Sequence, residues 1–392
     1  MSLRFLTGGE SHGKALIGII EGIPSGLPLL PDDINKELKR RQGGKGRGGR
    51  MKIEDDRAEI LSGVRLGKTL GSPLSLLIEN KDWINWKEVM SSEAILNVIE
   101  PVTKPRPGHA DLAGAMKYNT HDIRDILERS SARETAMRVA LGAVAKRLLE
   151  EFDILIGSYV ISIGSVKCKE TEPKFWAEPR YLISIAEKAE KSPVRCPFKN
   201  DSKEMEKLIE KAQKEGNSLG GVFEVFAVGV PPGLGSHIQW DRRLDGRLAQ
   251  ALMSIQAIKA VAVGSGFNMA SRFGRDVMDE IFYRSGRFLR KTNNAGGIEG
   301  GMTNGMPIVL RAAMKPIPTQ RKPLRTVDIK TKKPVSAVYE RSDICAVPSA
   351  SVIGEAMTAL TLSDAFLEKF GGDSIKETKR NYNSYIEYLK GF

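Results

Sequence analysis

Histidine, cysteine and aromatic residues are scarce in this sequence, and each scarcity narrows what the chain can do. Three cysteines, Cys168, Cys196 and Cys345, stand far apart and form neither a CxxC pair nor a metal-ligand spacing with the four histidines. That pattern argues against a disulfide-stapled secreted module and against a metal site, and the expectation is reduced thiols in the cytoplasm. Aromatic residues make up 6% of the chain, which weakens a single-strand nucleic-acid binder, since such proteins stack bases on aromatic platforms. No stretch is read as approaching the roughly 18 apolar residues of a membrane-spanning helix. Met1-Ser2-Leu3-Arg4-Phe5 lacks the basic region and apolar run of an export signal. Neither membrane insertion nor export is expected.

What is present is ordinary for a large folded unit. With 392 residues, 41% hydrophobic and 28% charged, the chain can bury a substantial core. Sixty Lys and Arg against 48 Asp and Glu give a net charge of +12, so an anionic partner is expected: nucleic acid, an acidic membrane or a polyanionic small molecule. Glycine, 39 residues in all, gathers in loops at 43–49 and 296–301. No period of about 20 to 50 residues marks a repeat array and no linker divides the chain. One domain over 1–392 is the preferred reading, with residues 166–218, rich in Lys and Glu, as a peripheral insertion.

Periodicity predicts helices over 32–41, 132–152, 245–260 and 351–360. Ser131 and Glu134 have the spacing of a capping box at the start of the second. The last three are rich in alanine and other small residues, which suits close packing in one core layer. A further amphipathic helix carries Met205, Leu208, Ile209 and Ala212 and ends near Gly216-Asn217. Strands are expected at 15–21, 74–79, 154–163, 222–230 and 306–312. This interleaving points to an α+β fold.

Two nucleotide-binding patterns fail on context. Gly44-Lys45-Gly46-Arg47-Gly48-Gly49 has the letters of a dinucleotide fingerprint but follows a helix where a strand is required. Gly67-Lys68-Thr69 resembles the end of a phosphate loop but has Ser62 where its first glycine should be, and reads as a hairpin turn. Histidine is more informative. His12 lies in Gly8-Gly9-Glu10-Ser11-His12-Gly13 and His109 in Arg106-Pro107-Gly108-His109-Ala110-Asp111, both in tight loops suited to a catalyst or to a turn hydrogen bond. His121 and His237 lack such settings and read as structural or exposed. Arg40, Arg41, Arg47, Arg50, Arg106, Arg129, Arg133 and Arg341 sit in or beside glycine, proline and serine loops, where guanidinium groups offer bidentate donors to carboxylate or phosphate. Arg129-Ser130-Ser131-Ala132-Arg133-Glu134-Thr135 adds hydroxyls and helix N-terminal amides.

Taken in order, Gly9 to Gly13, Arg106 to Asp111, Arg129 to Thr135, Ser254-Ile255-Gln256-Ala257, Asn294 to Gly297, Lys315 to Thr319 and Arg341-Ser342-Asp343 resemble the successive signatures of the chorismate synthase family, end to end. The chain departs from some members in carrying Ile126-Leu127-Glu128 where they have glycines, and in the 166–218 insertion. The resemblance implies a single large β-α-β sandwich, with a central helical layer between antiparallel sheets, assembled as a homotetramer. It implies a lyase of the shikimate pathway that converts 5-enolpyruvylshikimate 3-phosphate to chorismate and phosphate, a 1,4-elimination that requires reduced FMN (FMNH2) without net redox change.

Position by position, the resemblance makes His12 the acid or electrostatic partner of the departing phosphate, His109 the proton donor toward the flavin, and Asp343 a relay for the ring proton. Arg41, Arg47, Arg106, Arg133 and Arg341 would bind substrate anions, with Arg40 and Arg50 near enough in sequence to exchange roles. Flavin contacts carry over to Arg129, Ser130, Ser131, Gln256, Ala257, Gly300, Lys315, Pro316, Ile317, Pro318, Thr319 and Arg341. No metal, nucleic acid or membrane partner is expected. The rivals are a basic nucleic-acid binder using Lys39 to Arg50 as a phosphate clamp, and a flavin oxidoreductase that changes its substrate's oxidation state.

Overall fold

Strict alternation builds the first sheet. In β2 (Ala15–Glu21) Leu16, Gly18 and Ile20 face inward while Ile17 and Ile19 face out, and Leu74, Leu76 and Ile78 repeat the pattern in β6 (Leu74–Glu79). With β1 (Arg4–Gly8) and β3 (Glu59–Ser62) they form an antiparallel sheet of order β1-β2-β6-β3. The second sheet is also antiparallel, in order β10-β15-β9-β7-β8: β7 (Leu155–Ile163), β8 (Val166–Lys167), β9 (Gly221–Val228), β10 (Ile258–Val263) and β15 (Ile308–Met314). Its central strand β9 is buried on both faces from Phe223 to Val228. The computed structural model describes residues 3–48, 54–94, 99–168, 173–284, 286–340 and 342–392.

Four short hairpins complete the strands: β4 (Val64–Arg65) with β5 (Lys68–Thr69), β11 (Ile281–Arg284) with β12 (Arg287–Arg290), β13 (Ile298–Glu299) with β14 (Met302–Thr303), and β16 (Arg325–Val327) with β17 (Pro334–Ser336). The first contains Gly67-Lys68-Thr69. Leu66 and Gly67 both adopt positive φ, 51° and 73°, as a two-residue hairpin turn requires.

The helices are α1 (Pro31–Gln42), α2 (Asp111–Tyr118), α3 (Arg124–Ser130), α4 (Thr135–Glu150), α5 (Pro173–Trp176), α6 (Pro179–Glu190), α7 (Lys199–Glu215), α8 (Leu244–Met253), α9 (Val347–Phe370) and α10 (Ile375–Gly391). Helix α4 packs on β2 and β6, α9 packs on β7 and β9, and the two helices pack on each other. Small side chains permit this. A Cβ on Gly142 would lie 2.4 Å from Ala356 Cβ, and one on Gly18 would lie 2.5 Å from Met137 Sδ. Both are closer than carbon and sulfur tolerate, so a larger residue at either position forces the layers apart.

Several elements differ from expectation. The helix predicted over 132–152 is a single 3-10 turn, Ala132–Glu134, leading into α4. Its capping box does not form: Ser131 accepts from the Arg133 amide, and Glu134 turns its carboxylate to Gln256 and Arg138. The 245–260 helix stops at Met253, because Ala257 takes a left-handed φ of 66° and the chain then enters β10. The 351–360 helix is the middle of the 24-residue α9. By length and composition α9 is apolar enough to cross a membrane, which the sequence reading overlooked, yet 89% of its apolar window is buried inside the protein. Between 173 and 218 there is a second long amphipathic helix, α6, beside the expected one. Leu182 and Ile185 from α6, with Met205 and Ile209 from α7, join the main apolar core.

One buried ionic cluster fixes the end of α1. Glu355, in the middle of α9 and fully buried, receives Arg40 through two 2.8 Å bonds, Lys146 at 2.8 Å, Arg195 at 3.2 Å and the Ser158 hydroxyl at 2.6 Å. Burial opposes its ionisation, but the surrounding cations hold the carboxyl well below the usual range. Arg40 is thereby committed to the core, and Arg41, next along the helix, faces a different way.

Candidate active site

The loops between these layers enclose a cavity of 560 Å³. Ser11 and His12 reach it from the β1–β2 loop, Arg41 from the end of α1, and Arg106, Gly108 and His109 from the segment before α2. Ser130 to Arg133 enter at the α3–α4 junction, Ile255 to Ala257 between α8 and β10, Lys315 and Ile317 to Thr319 after β15, and Asp343 before α9. Motifs scattered over more than 300 residues thus converge on one space.

His12 is held on several sides. Its Nδ1 lies 2.9 Å from Glu128 Oε1, its backbone amide donates to Glu128 Oε2 at 2.7 Å, and its ring stacks on Trp86 with centroids 4.0 Å apart. Arg124 donates to Glu128 Oε1 at 3.1 Å and lies over the Trp86 ring at 4.9 Å. Burial disfavours the Glu128 carboxylate, but its bonds to His12 and the charge of Arg124 outweigh that and depress its pKa.

His109 is arranged similarly. Its Nδ1 is 2.6 Å from Asp111 Oδ1. Asp111, with 0% exposure, also accepts Arg106 Nε at 2.9 Å, Arg106 Nη2 at 3.0 Å and the Arg106 amide at 3.0 Å. Burial again works against the charge, and the His109 and Arg106 bonds overcome it, holding this carboxyl far below the ordinary range. Arg106 Nη1 continues to Thr319 Oγ1 at 3.1 Å, and Lys315 Nζ donates to the Gly108 carbonyl at 2.6 Å. Burial, with Lys259 nearby, lowers the Lys315 pKa.

The arginines form a second wall. Arg41 donates to Thr135 Oγ1 at 3.0 and 3.1 Å and to the Ala132 carbonyl at 3.0 Å, with Asp56 at 3.5 Å. Burial, reinforced by Arg47 and Arg133, pushes its pKa down to about 10. Arg133 donates to Asp56 at 2.6 Å and to Asn80 at 2.9 Å, while its buried Nη2 has no hydrogen-bond partner and Glu54 only at 3.6 Å. Crowded cations with an unspent donor suit an incoming anion. Arg47 binds Asp343 Oδ2 at 2.6 Å, and the Gly48 amide binds Asp343 Oδ1 at 2.6 Å.

Of the residues singled out in sequence, His12, His109, Asp343, Arg41, Arg47, Arg106, Arg133, Ser130, Ser131, Gln256, Ala257, Lys315, Ile317, Pro318 and Thr319 line this cavity. Gln256 gives its amide N–H to Glu134 at 2.7 Å, leaving Oε1 buried without a partner. Arg129, Gly300 and Pro316 are not among the lining residues. Arg129 binds the Gly9 and Thr7 carbonyls at 3.0 and 2.8 Å, and Gly300 forms the turn between β13 and β14. Arg40 belongs to the Glu355 cluster, and Arg50 and Arg341 lie outside the described residues. His121 and His237 are exposed and away from the cavity.

Sequence reasoning missed Asp111, Glu128, Trp86, Asp56 and Glu134. Asp111 was legible, two residues past His109 in its own motif. Glu134 lies inside the Arg129 to Thr135 motif and Glu128 just before it, whereas Trp86 and Asp56 reach the site through contacts distant in sequence. Among the described residues no group of His, Cys, Asp and Glu could hold a metal ion.

A family model described as chorismate synthase matches residues 3–367. The chorismate synthase of Aquifex aeolicus is 60% identical over 393 residues, covering 100% of this chain and 99% of the relative. That of Geotalea uraniireducens is 57% identical over 399 residues, covering 99% of this chain and 100% of the relative. A solved structure titled "Crystal Structure of Chorismate Synthase" is 50% identical, with a TM-score of 0.82 and coverage of 100% of this chain and 99% of that one.

Proposed function

The chain belongs to the chorismate synthase family, and from that premise we propose how its cavity carries out the reaction. It is a lyase of the shikimate pathway, converting 5-enolpyruvylshikimate 3-phosphate to chorismate and phosphate by 1,4-elimination. The observation that carries the reading is the pairing of two carboxylate-bound histidines with a wall of arginines around one 560 Å³ space. A substrate with two carboxylates and a phosphate needs that charge, and loss of phosphate needs an acid beside it.

Reduced FMN fits the remaining surface. Ile255, Ala257, Ile317 and Pro318 offer apolar faces for a flat ring, and the partnerless Gln256 Oε1 offers an acceptor for a ring N–H. Ser130, Ser131, Lys315 and Thr319 lie around it. When bound, reduced FMN supplies the transient electron or proton partner that the elimination demands without net redox change.

The protein's own residues do the rest. Arg41, Arg47, Arg106 and Arg133 bind the substrate anions, with Arg341 as a further donor. His12 stabilises and protonates the departing phosphate. His109, its Nδ1 against an ionised Asp111, carries a proton on that nitrogen and serves as the proton donor toward the flavin. Asp343, oriented by Arg47 and the Gly48 amide, holds the proton lost from the ring. We read the enzyme as a β-α-β sandwich, with α4 and α9 as its central layer. We also read it as a cytoplasmic homotetramer, which the exposed apolar Leu6, Ile17 and Ile19 on the outer face of the first sheet support.

Purified protein, dithionite-reduced FMN and enolpyruvylshikimate phosphate, mixed without oxygen, should release phosphate and form chorismate together. Oxidation of one NADPH per product would overturn the redox-neutral reading. Asp343→Asn should bind substrate and FMN but eliminate slowly; turnover at the unmodified rate would remove its proton role.

A further inference from the structure

We propose that Glu128 is the positioning residue of His12, fixing its ring orientation and its tautomer. The proposal rests on the reading of His12 as the acid for the departing phosphate. Glu128 is 2% exposed and grips His12 twice, through the backbone amide at 2.7 Å and through Nδ1 at 2.9 Å. An ionised carboxylate only accepts hydrogen bonds, so the imidazole must present Nδ1–H to it. The ring is then free to rotate in neither sense, because Trp86 stacks on its face at 4.0 Å. Arg124, bound to Glu128 and laid over Trp86, clamps the two supports together.

A carboxylate on Nδ1 settles which ring nitrogen carries the proton, so Nε2 is the nitrogen left for the departing phosphate. Other charged groups lie near His12 among the described residues. Arg124, also on α3, is shared with Glu128 and lies 3.6 Å from Glu340. Glu10, on the same loop as His12, is exposed. Asp82, in the 3-10 turn leading to Trp86, and Arg133, from the α3–α4 junction, line the same cavity. Arg129 spends its guanidinium on the Thr7 and Gly9 carbonyls. Glu128 bonds to the ring nitrogen directly, at 2.9 Å.

Glu128→Gln tests this with shape and one acceptor retained but the charge removed. The expected result is a fall in single-turnover phosphate release of roughly 10-fold to 100-fold at pH 8. Substrate KM and FMN affinity should be little changed. Glu128→Asp, which keeps the acceptor-only carboxylate, should recover part of the lost rate. Nitrogen NMR of the four histidines, with His12 identified by its loss in His12→Asn, should show the Nδ1–H tautomer in the unmodified protein and a mixture of tautomers in Glu128→Gln, whose amide can also donate. If His12 keeps the same single tautomer in Glu128→Gln, the proposal is overturned. If the tautomer changes while the rate stays put, Glu128 is upheld and the acid role of His12 falls instead.

Discussion

The two histidine sites are chemically alike and topologically opposite. Each joins an imidazole Nδ1 to a buried carboxylate that an arginine also binds: His109, Asp111 and Arg106 in one site, His12, Glu128 and Arg124 in the other. The first triad spans six consecutive residues and is closed by the turn that opens α2. The second joins residues 116 apart, brought together because the β1–β2 loop packs against α3. A local triad survives as long as its turn does. A long-range one depends on every layer between its members, so it needs an extra clamp, and Trp86 provides it.

The largest effect should come from Asp111→Ala, because that carboxylate holds both His109 and Arg106. The change leaves a buried guanidinium without its main partner, at about 3 to 5 kcal/mol. It should also lower kcat/KM by more than roughly 10³-fold, the combined loss of an oriented proton donor and an anion-binding arginine. Denaturant unfolding and steady-state rates measure the two parts separately. Normal activity in a stable Asp111→Ala protein would break the likeness between the two sites.

His12→Ala and His109→Ala come next, each slowing single-turnover phosphate release by roughly 10²-fold to 10⁴-fold with near-native far-ultraviolet circular dichroism. Unaltered rates in either would show that only one of the two sites is chemical. Trp86→Leu should do less. Ring stacking of this kind is worth about 0.5 to 1.5 kcal/mol, so kcat/KM should fall by no more than about tenfold, and only the His12 site should feel it. An effect equal to that of His12→Ala would assign Trp86 a role beyond support.

The smallest expected difference is in acid. Both carboxyls are depressed in the folded protein, so the stability they contribute is complete above the ordinary carboxylate range and is lost as pH falls through their folded values. Asp111 is the more strongly depressed and should remain ionised to lower pH. The stability gap between the unmodified protein and Glu128→Gln should therefore close at a higher pH than the gap for Asp111→Asn. Urea unfolding at stepped pH reads both, and the reverse order would contradict the assigned ion-pair strengths.

Much of the site could be read from the chain because its motifs are short loops of glycine, proline and arginine, whose conformations are set by near neighbours. The Arg106 to Asp111 turn is the clearest case. Strands β2 and β6 were equally legible, since alternation of apolar residues at period two dictates which face is buried. Elsewhere local signals competed. Ser131 and Glu134 have capping-box spacing, but the Glu134 carboxylate gains more from Gln256 and Arg138 than from a backbone amide. The alanine-rich run after Asp245 favours helix until Ala257 turns left-handed and β10 takes up the chain against β15.

By itself the sequence determined the family, the anionic character of the ligands and the identity of fifteen cavity-lining residues, because these depend on residue type and order. Only the tertiary structure decided which of two adjacent arginines serves the site. Arg40 and Arg41 are indistinguishable by composition, yet a helix turns about 100° per residue. The buried Glu355 captures the first, so the second must face the cavity. The same holds for Glu128, Trp86 and Asp56, whose roles exist only where separate layers meet and where burial turns a weak solvent-exposed attraction into a fixed contact.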